Sequence, residues 1–393
     1  MAKFLFDDLE KGKMPDATVT IYDDDRRPLV LGAEQQLGCA GAGGSVYEIT
    51  SAPGYCVKLF NPQDLADQKK RSRIVSGLEA MVEMSPFFHN PRLAWPLGIV
   101  RDKNGAAVGY VMRRIPSDFK PFWALFGGPA LLSRRFPNWG RRELALTARN
   151  FGKTLLFLER QGVHVADFNP QNFVVNDRCE VIFLDSDSFM FFDRSGKMHA
   201  SDMYFPDCAA PEILANPAAL RKARTEEQTR FSAAVISFML VMAGMHPYSF
   251  SESLDGGAVG TPAQNILTGK CALGSGTGCR MIANLYNLWS WLTSALQIAF
   301  KTTFRTGHSC PAERTPLEDL VNVLDKFAFV CGQAPERNTL TPSSPRRREA
   351  NGFKPYPTPA FGHRPFVPNR GPMHQQMRFP RPGGYRPFGA GNY

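Results

Sequence analysis

The chain has 393 residues, room for one enzyme-sized folded unit of about 300 residues with appendages. Its hydrophobic content of 43% is ordinary for a globular core, and its eight cysteines are scattered with no C-x-x-C pair, which argues against a disulfide scaffold or a zinc module. The net charge of +10 sits almost wholly in residues 333–393, so it does not signal an anionic channel in the folded part.

Residues 1–30 read as an N-terminal extension. Its opening Met-Ala-Lys-Phe-Leu-Phe breaks into acids at Asp7, unlike a secretory signal, so a cytoplasmic protein is expected. Val19-Thr-Ile-Tyr22 has the composition of a strand, and the charged run from Asp23 to Arg27 reads as a turn.

Residues 31–115 read as a small β-rich unit. Within it, Leu37-Gly-Cys-Ala-Gly41-Ala-Gly43-Gly44-Ser-Val46-Tyr-Glu-Ile is a glycine-rich turn running into a strand. Glycine lets a backbone approach phosphate oxygens with no Cβ in the way. Taken alone, such a turn is more often a plain hairpin. Twelve residues past Val46, Tyr55-Cys-Val-Lys58-Leu-Phe reads as a strand carrying a lysine, ordinarily a solvated edge residue. The absence of G-x-x-x-x-G-K-[ST] argues against a P-loop. Gln63 to Met84 has Ile74, Leu78, Met81 and Val82 at helical spacing, and two strand-like runs, from Trp95 and from Ala107, complete the unit.

Residues 116–331 carry helical patterns, beginning with a long helix from Arg142 to Gln161. There follow Gly162-Val-His-Val-Ala-Asp167-Phe-Asn-Pro-Gln-Asn172-Phe-Val-Val and, after an apolar run from Val181 to Leu184, Asp185-Ser-Asp187-Ser-Phe. Asp167, Asn172 and Asp185 all stand at the edges of short strand-like runs. Next come Cys208-Ala-Ala-Pro211-Glu212 and an apolar helix from Phe231 that stops at Gly244 and Pro247. The stretch from Phe231 to Met245 is too short to span a membrane, and that from Ile282 to Phe300 is interrupted by Asn, Ser, Thr and Gln. Both read as core helices, so no membrane span is expected. Arg314-Thr-Pro then precedes an amphipathic stretch from Leu317 to Phe327.

From Gly332 the composition shifts to Pro, Gly, Asn and Arg without apolar periodicity, and residues 332–393 are expected to be a disordered basic tail. It carries ten basic residues from Arg337 on against two acids, +8 of the chain's +10. Arginines alternate with aromatics in Arg364-Pro-Phe, Arg378-Phe-Pro-Arg and Tyr385-Arg-Pro-Phe. That mixture suits weak binding to single-stranded nucleic acid or an acidic protein surface; the bland alternative is a solvated tail with no fixed partner.

In order, these landmarks resemble a protein kinase, and the resemblance implies an α+β, two-lobed protein-kinase-like fold with residues 31–115 as small lobe and 116–331 as helical lobe. It implies ATP and Mg²⁺ as cofactors. Gly41, Gly43, Gly44 and Val46 would cover the phosphates, with Cys39 where the pattern's first glycine would fall. Lys58 would neutralise the phosphates and pair with Glu79 or Glu83, Glu79 preferred, from the helix before Met84. Met112 would mark the hinge that meets the adenine. Asp167 would orient the acceptor hydroxyl, Asn172 and Asp185 would hold the metal, and Asp187 could add a second metal contact or be only a like-charged neighbour. Glu212 would pair with Arg314.

More narrowly, the Ser-Val-Tyr-Glu-Ile loop, Asp167-Phe-Asn-Pro-Gln-Asn172, Leu184-Asp-Ser-Asp-Ser-Phe189 and Gly244-Met-His-Pro-Tyr248 resemble bacterial kinase-like proteins associated with tellurite-resistance-type systems. That resemblance implies von Willebrand A-like and PP2C-like proteins as partners. The expected activity is γ-phosphoryl transfer to a Ser/Thr hydroxyl of a protein substrate; the alternatives are a pseudokinase scaffold and a small-molecule kinase. The pattern is departed from at Val165-Ala166, which replace His-Arg, at Asn169, which replaces a lysine, and at Asp187, which replaces the glycine of D-F-G. His164, one position off, reads as a strand or turn residue.

Overall fold

The structure is a computed structural model that describes residues 19–342 except for 24–26, 32–34, 42, 86–89, 217, 219–223, 251, 254–258, 272 and 274–278. It is an α+β protein. The expectations for residues 1–18 and for the arginine–aromatic tail from 343 onward lie outside the described residues.

Seven strands form one antiparallel sheet: β1 (Val19–Tyr22), β2 (Pro28–Leu31), β3 (Gln36–Gly41), β4 (Gly44–Glu48), β5 (Tyr55–Leu59), β6 (Gly98–Arg101) and β7 (Ala107–Arg113), in the order β2-β1-β6-β7-β5-β4-β3. The chain before residue 31, expected as an extension, thus adds two strands to the sheet's edge. Val57, Leu59, Ile99, Val100 and Tyr110 build a hydrophobic cluster on the sheet. The helix expected from Gln63 is two helices, α1 (Pro62–Ala66) and α2 (Gln68–Met84). Asp67 divides them, because its carboxylate caps α2 by accepting from the Lys69 and Lys70 amides. Leu78 of α2 joins the sheet cluster, while Ala80 and Met81 join the larger helical one, so this helix is seated against both.

The helical part is built around α3 (Pro129–Arg135), α4 (Arg141–Arg160), α5 (Pro211–Ala215), α6 (Glu226–Val241), α7 (Pro262–Thr268), α8 (Ala283–Ser290), α9 (Ser294–Lys301), α10 (Leu317–Gln333) and α11 (Pro335–Asn338). Gly152 of α4 faces Val321 of α10, and a Cβ there would meet the Val321 side chain at 2.6 Å, so the glycine permits the close helix contact. Among the described residues no helix is long and apolar enough to cross a membrane. The seven cysteines whose side chains are described form no disulfide with one another, and all but Cys310 are buried.

The boundary expected near Gly332 falls short of the packed chain. Helix α10 runs through Gly332, α11 follows, Asn338 Oδ1 accepts from the Arg142 amide at 2.7 Å, Arg337 Nη1 donates to the Trp291 carbonyl at 3.2 Å, and Leu340 is buried. The composition shift misled because Pro335 reads as a breaker, whereas here it starts a short helix.

Candidate active site

Short strands set up the site: β8 (Lys120–Pro121), β9 (Val163–His164), β10 (Phe173–Val175), β11 (Val181–Phe183), β12 (Met190–Phe192) and β13 (Met198–His199). Strands β10 and β11 pair antiparallel with Phe173 opposite Phe183. The Leu184 amide also donates to the Asn172 carbonyl at 2.8 Å, so residues twelve apart in sequence become neighbours. Each functional side chain sits beside an aromatic anchor: Asp167 precedes Phe168, Asn172 precedes Phe173, and Asp185 follows Phe183 by two. Those rings meet Phe151 of α4, with centroids 5.0 Å apart for Phe151–Phe173, 5.1 Å for Phe151–Phe183 and 6.4 Å for Phe151–Phe168. Close aromatic packing of this kind resists small displacements, and it fixes the polar loop above it.

Within that loop, Asn169 Oδ1 accepts from the Gln171 amide at 3.0 Å, shaping a single turn. Asn172 Nδ2 donates to Asp167 Oδ2 at 3.1 Å. The other oxygen, Asp167 Oδ1, is buried with no hydrogen-bond partner. Burial, and then the charge of Asp185, push the Asp167 carboxyl up to about 7. Asp185 itself has a left-handed backbone (φ 53°), rare for a residue with a side chain, and its carbonyl accepts from Ser188 Oγ at 2.8 Å.

Lys58 reaches this loop from β5. Its Nζ lies 2.5 Å from Asp185 Oδ1, and 2.7 and 2.9 Å from the two oxygens of Asp187. Burial would pull the ammonium down, but Asp185 and then Asp187 outweigh it and hold Lys58 well above its ordinary value. The glycine-rich hairpin lies over the amine, since a Cβ on Gly43 would sit 3.3 Å from Lys58 Nζ and 3.9 Å from Asp185 Oδ1. Gly41 and Gly44 pair across the turn, and Gly44 has φ +140° with its Cα against the Leu59 backbone, a place no side chain fits. Val46 pairs with Lys58 across β4 and β5. Met112 pairs with Cys56, one residue from the end of β7, with its side chain buried in the sheet cluster.

The expected glutamate partner of Lys58 is corrected. Glu79 does not meet Lys58; it is exposed, between buried Leu78 and Ala80, because α2 turns its apolar arc inward at those neighbours. Glu83 is exposed as well and pairs with Arg194 at 3.1 Å. Asp187, expected either as a second metal contact or as only a like-charged neighbour of Asp185, is engaged by Lys58 and by the Tyr110 hydroxyl, which donates to its Oδ1 at 2.6 Å. His164 lies in β9 opposite Met190, and burial lowers its pKa. Val165 and Ala166 are buried.

Tyr110 and Arg224 escaped the sequence reading. Tyr110 stands directly across from Lys58 in the β5–β7 register, a signal visible only once the strands are paired. Arg224 is buried, donates from Nη2 to the Met203 carbonyl at 3.2 Å, and its charge opposes the rise of Asp167. Nothing local in the sequence marks it. Arg314, by contrast, meets Glu212 as the resemblance implied, at 2.8 and 2.7 Å.

No protein-family model matches the chain. Over 217 residues, 55% of this chain and 32% of the relative, it is 25% identical to Protein kinase YegI of Escherichia coli strain K12. The protein of the same name from Escherichia coli O157:H7 gives the same identity and coverage. The chain spans about a third of the length of the curated relatives it matches. It is thus a distant relative of a bacterial protein kinase, and the similarity supports a kinase-like function.

Proposed function

We propose that this chain is a protein kinase of two-lobed architecture, moving the γ-phosphoryl group of ATP to a Ser or Thr hydroxyl of a protein. The observation that carries this reading is the asymmetry of Asp167. Its Oδ2 is held by Asn172, while its Oδ1 is buried without a partner, as an acceptor awaiting a hydroxyl proton would be. A carboxyl pushed toward neutrality is also a better proton acceptor at physiological pH than an ordinary aspartate.

The donor set suits Mg²⁺, which takes hard oxygen ligands and is ordinarily held by one or two carboxylates plus substrate phosphates. Asp185 and Asn172 would hold the ion, whose charge draws off the negative charge that builds on the phosphate oxygens. Lys58 would bind the non-transferred phosphates under the Gly41–Gly44 turn, and Met112 would lie beside the adenine. Asp167 would orient the acceptor hydroxyl in line with the γ-phosphorus and take its proton as the bond to the leaving oxygen breaks.

A second reading, nucleotide binding without turnover, is favoured by the loss of two cationic positions: buried Val165-Ala166 and the turn-forming Asn169 stand where cations are usual. One experiment separates the two. Mg·ATP should raise the melting temperature, and labelled ATP should transfer phosphate to protein in lysate. Lys58→Met, Asp167→Asn and Asp185→Asn should each abolish transfer with the fold retained. Turnover that survives in Asp185→Asn sinks the metal role; binding without any transfer by the wild type selects the second reading.

A further inference from the structure

Lys58 offers three donor hydrogens, and the structure accounts for where they go. One meets Asp185 Oδ1, and the rest meet both oxygens of Asp187. Asp187 is itself fixed from behind by the Tyr110 hydroxyl at 2.6 Å. Tyr110 and Lys58 are direct partners in the β5–β7 register, and both are buried. The tyrosine ring is held in turn by Phe60, with centroids 5.8 Å apart. Asp187 therefore accepts three hydrogen bonds from the sheet, leaving it little capacity for a metal, whereas Asp185 gives Lys58 only one oxygen. Helix α2 offers nothing in competition, since Glu79 and Glu83 are both exposed.

We propose that Asp187, braced by the Tyr110 hydroxyl, is the carboxylate that positions Lys58, in place of a glutamate from helix α2. The inference rests on the functional reading above for what Lys58 does, but the pairing itself does not. Its consequence is regulatory. The partner of Lys58 lies two residues from Asp185 on the same loop, so a shift of α2 would not uncouple the lysine.

Two measurements on the full chain test this. Without nucleotide, melting temperatures are read for Lys58→Met, Asp187→Asn, Glu79→Gln and the two doubles that contain Lys58→Met. Removing Lys58 leaves two carboxylates facing each other, and removing Asp187 as well relieves that repulsion. The Lys58–Asp187 double should therefore melt at least about 2 °C above the additive expectation, while the Lys58–Glu79 double is additive. With nucleotide, Asp187→Asn and Tyr110→Phe should raise KM for Mg·ATP, by about tenfold and about threefold, with half-saturating Mg²⁺ changed less than about twofold. Asp187→Glu should restore part of the loss, and Glu79→Gln should match wild type. Additivity at Asp187, coupling at Glu79, or a raised Mg²⁺ requirement in Asp187→Asn overturns the proposal. A wild type that binds no Mg·ATP while the Lys58–Asp187 cycle stays coupled refutes the kinase reading and upholds the pairing.

Discussion

The Arg314–Glu212 pair is a sensitive place to perturb this fold. The Arg314 side chain is fully buried; Nε donates to the Gly307 carbonyl at 2.8 Å, Nη1 to the Glu227 carbonyl at 2.9 Å, and the two Nη atoms grip Glu212. The guanidinium also lies 5.2 Å over the ring of Phe231. Glu212→Gln keeps the shape but leaves the cation without its counter-charge. Breaking a fully buried pair costs about 3–5 kcal/mol, and because the Glu212 side chain is 34% exposed, water offsets part of that, so about 2–3 kcal/mol is expected. Arg314→Met removes the cation and the donors it gives to two carbonyls, a loss of about 2–4 kcal/mol. The double variant should then cost nearly what Arg314→Met costs alone, a coupling of about 1.5–3 kcal/mol. Urea unfolding at neutral pH reads all four proteins. Additivity within about 0.5 kcal/mol, or a Glu212→Gln protein as stable as wild type, would refute the reasoning.

Three further outcomes are expected. Ending the chain after Pro342 should leave the melting temperature unchanged, whereas ending it after Gly332 should lower it by at least about 5 °C, because Leu340 and the Asn338 cap on α4 go with it; equal melting of the two truncations would return the boundary to Gly332. Burial pushes the Asp207 carboxyl up to about 6, so the folded chain binds more protons than the unfolded one between about pH 4 and pH 6, and stability from this group falls as pH rises through that window. Asp207→Asn, which can keep the bond accepted from the Ala263 amide, should be more stable than wild type by about 1–2 kcal/mol at pH 7.5 and equal to it near pH 4; an advantage as large at pH 4 would show that the carboxyl is not the cause. Lastly, the segment after Asp187 is already tied down by Arg73–Asp202 at 2.8 Å, Arg194–Glu83 at 3.1 Å and His199–Asp193 at 2.8 Å. Replacing Ser188, Ser195, Ser201 and Tyr204 by Ala or Phe should therefore keep at least about a tenth of any transfer rate, a barrier change of ~1.4 kcal/mol. A far larger loss with the fold intact would mean that phosphate orders this segment.

The sequence by itself determined what is local. Asp167, Asn172 and Asp185 could be read because a turn and a hairpin of set length join them, and the aromatic residues beside them announce which way the loop is anchored. Lys58 behind its glycine turn was legible for the same reason, since β4 and β5 are consecutive strands. The Arg314–Glu212 pair was legible only through resemblance, because nothing in either segment points to the other across the intervening chain.

Tertiary structure alone decided who faces whom over distance. Residues on a helix advance about 100° per position, so whether Glu79 looks inward depends on the angle at which α2 docks. With Leu78 turned to the sheet cluster and Ala80 and Met81 to the helical one, Glu79 was left outside. That vacated the place beside Lys58, and Asp187 stands in it because Tyr110, its brace, is brought opposite Lys58 by a strand pairing that skips over α1, α2 and β6. The packing of the chain beyond Gly332 was decided the same way. Pro335 and the polar residues after it carry no apolar period, yet Asn338 finds the open amide of Arg142 and Leu340 finds the helical core. Such contacts depend on surfaces that exist only once the helices have packed, and no window of sequence contains both halves of them.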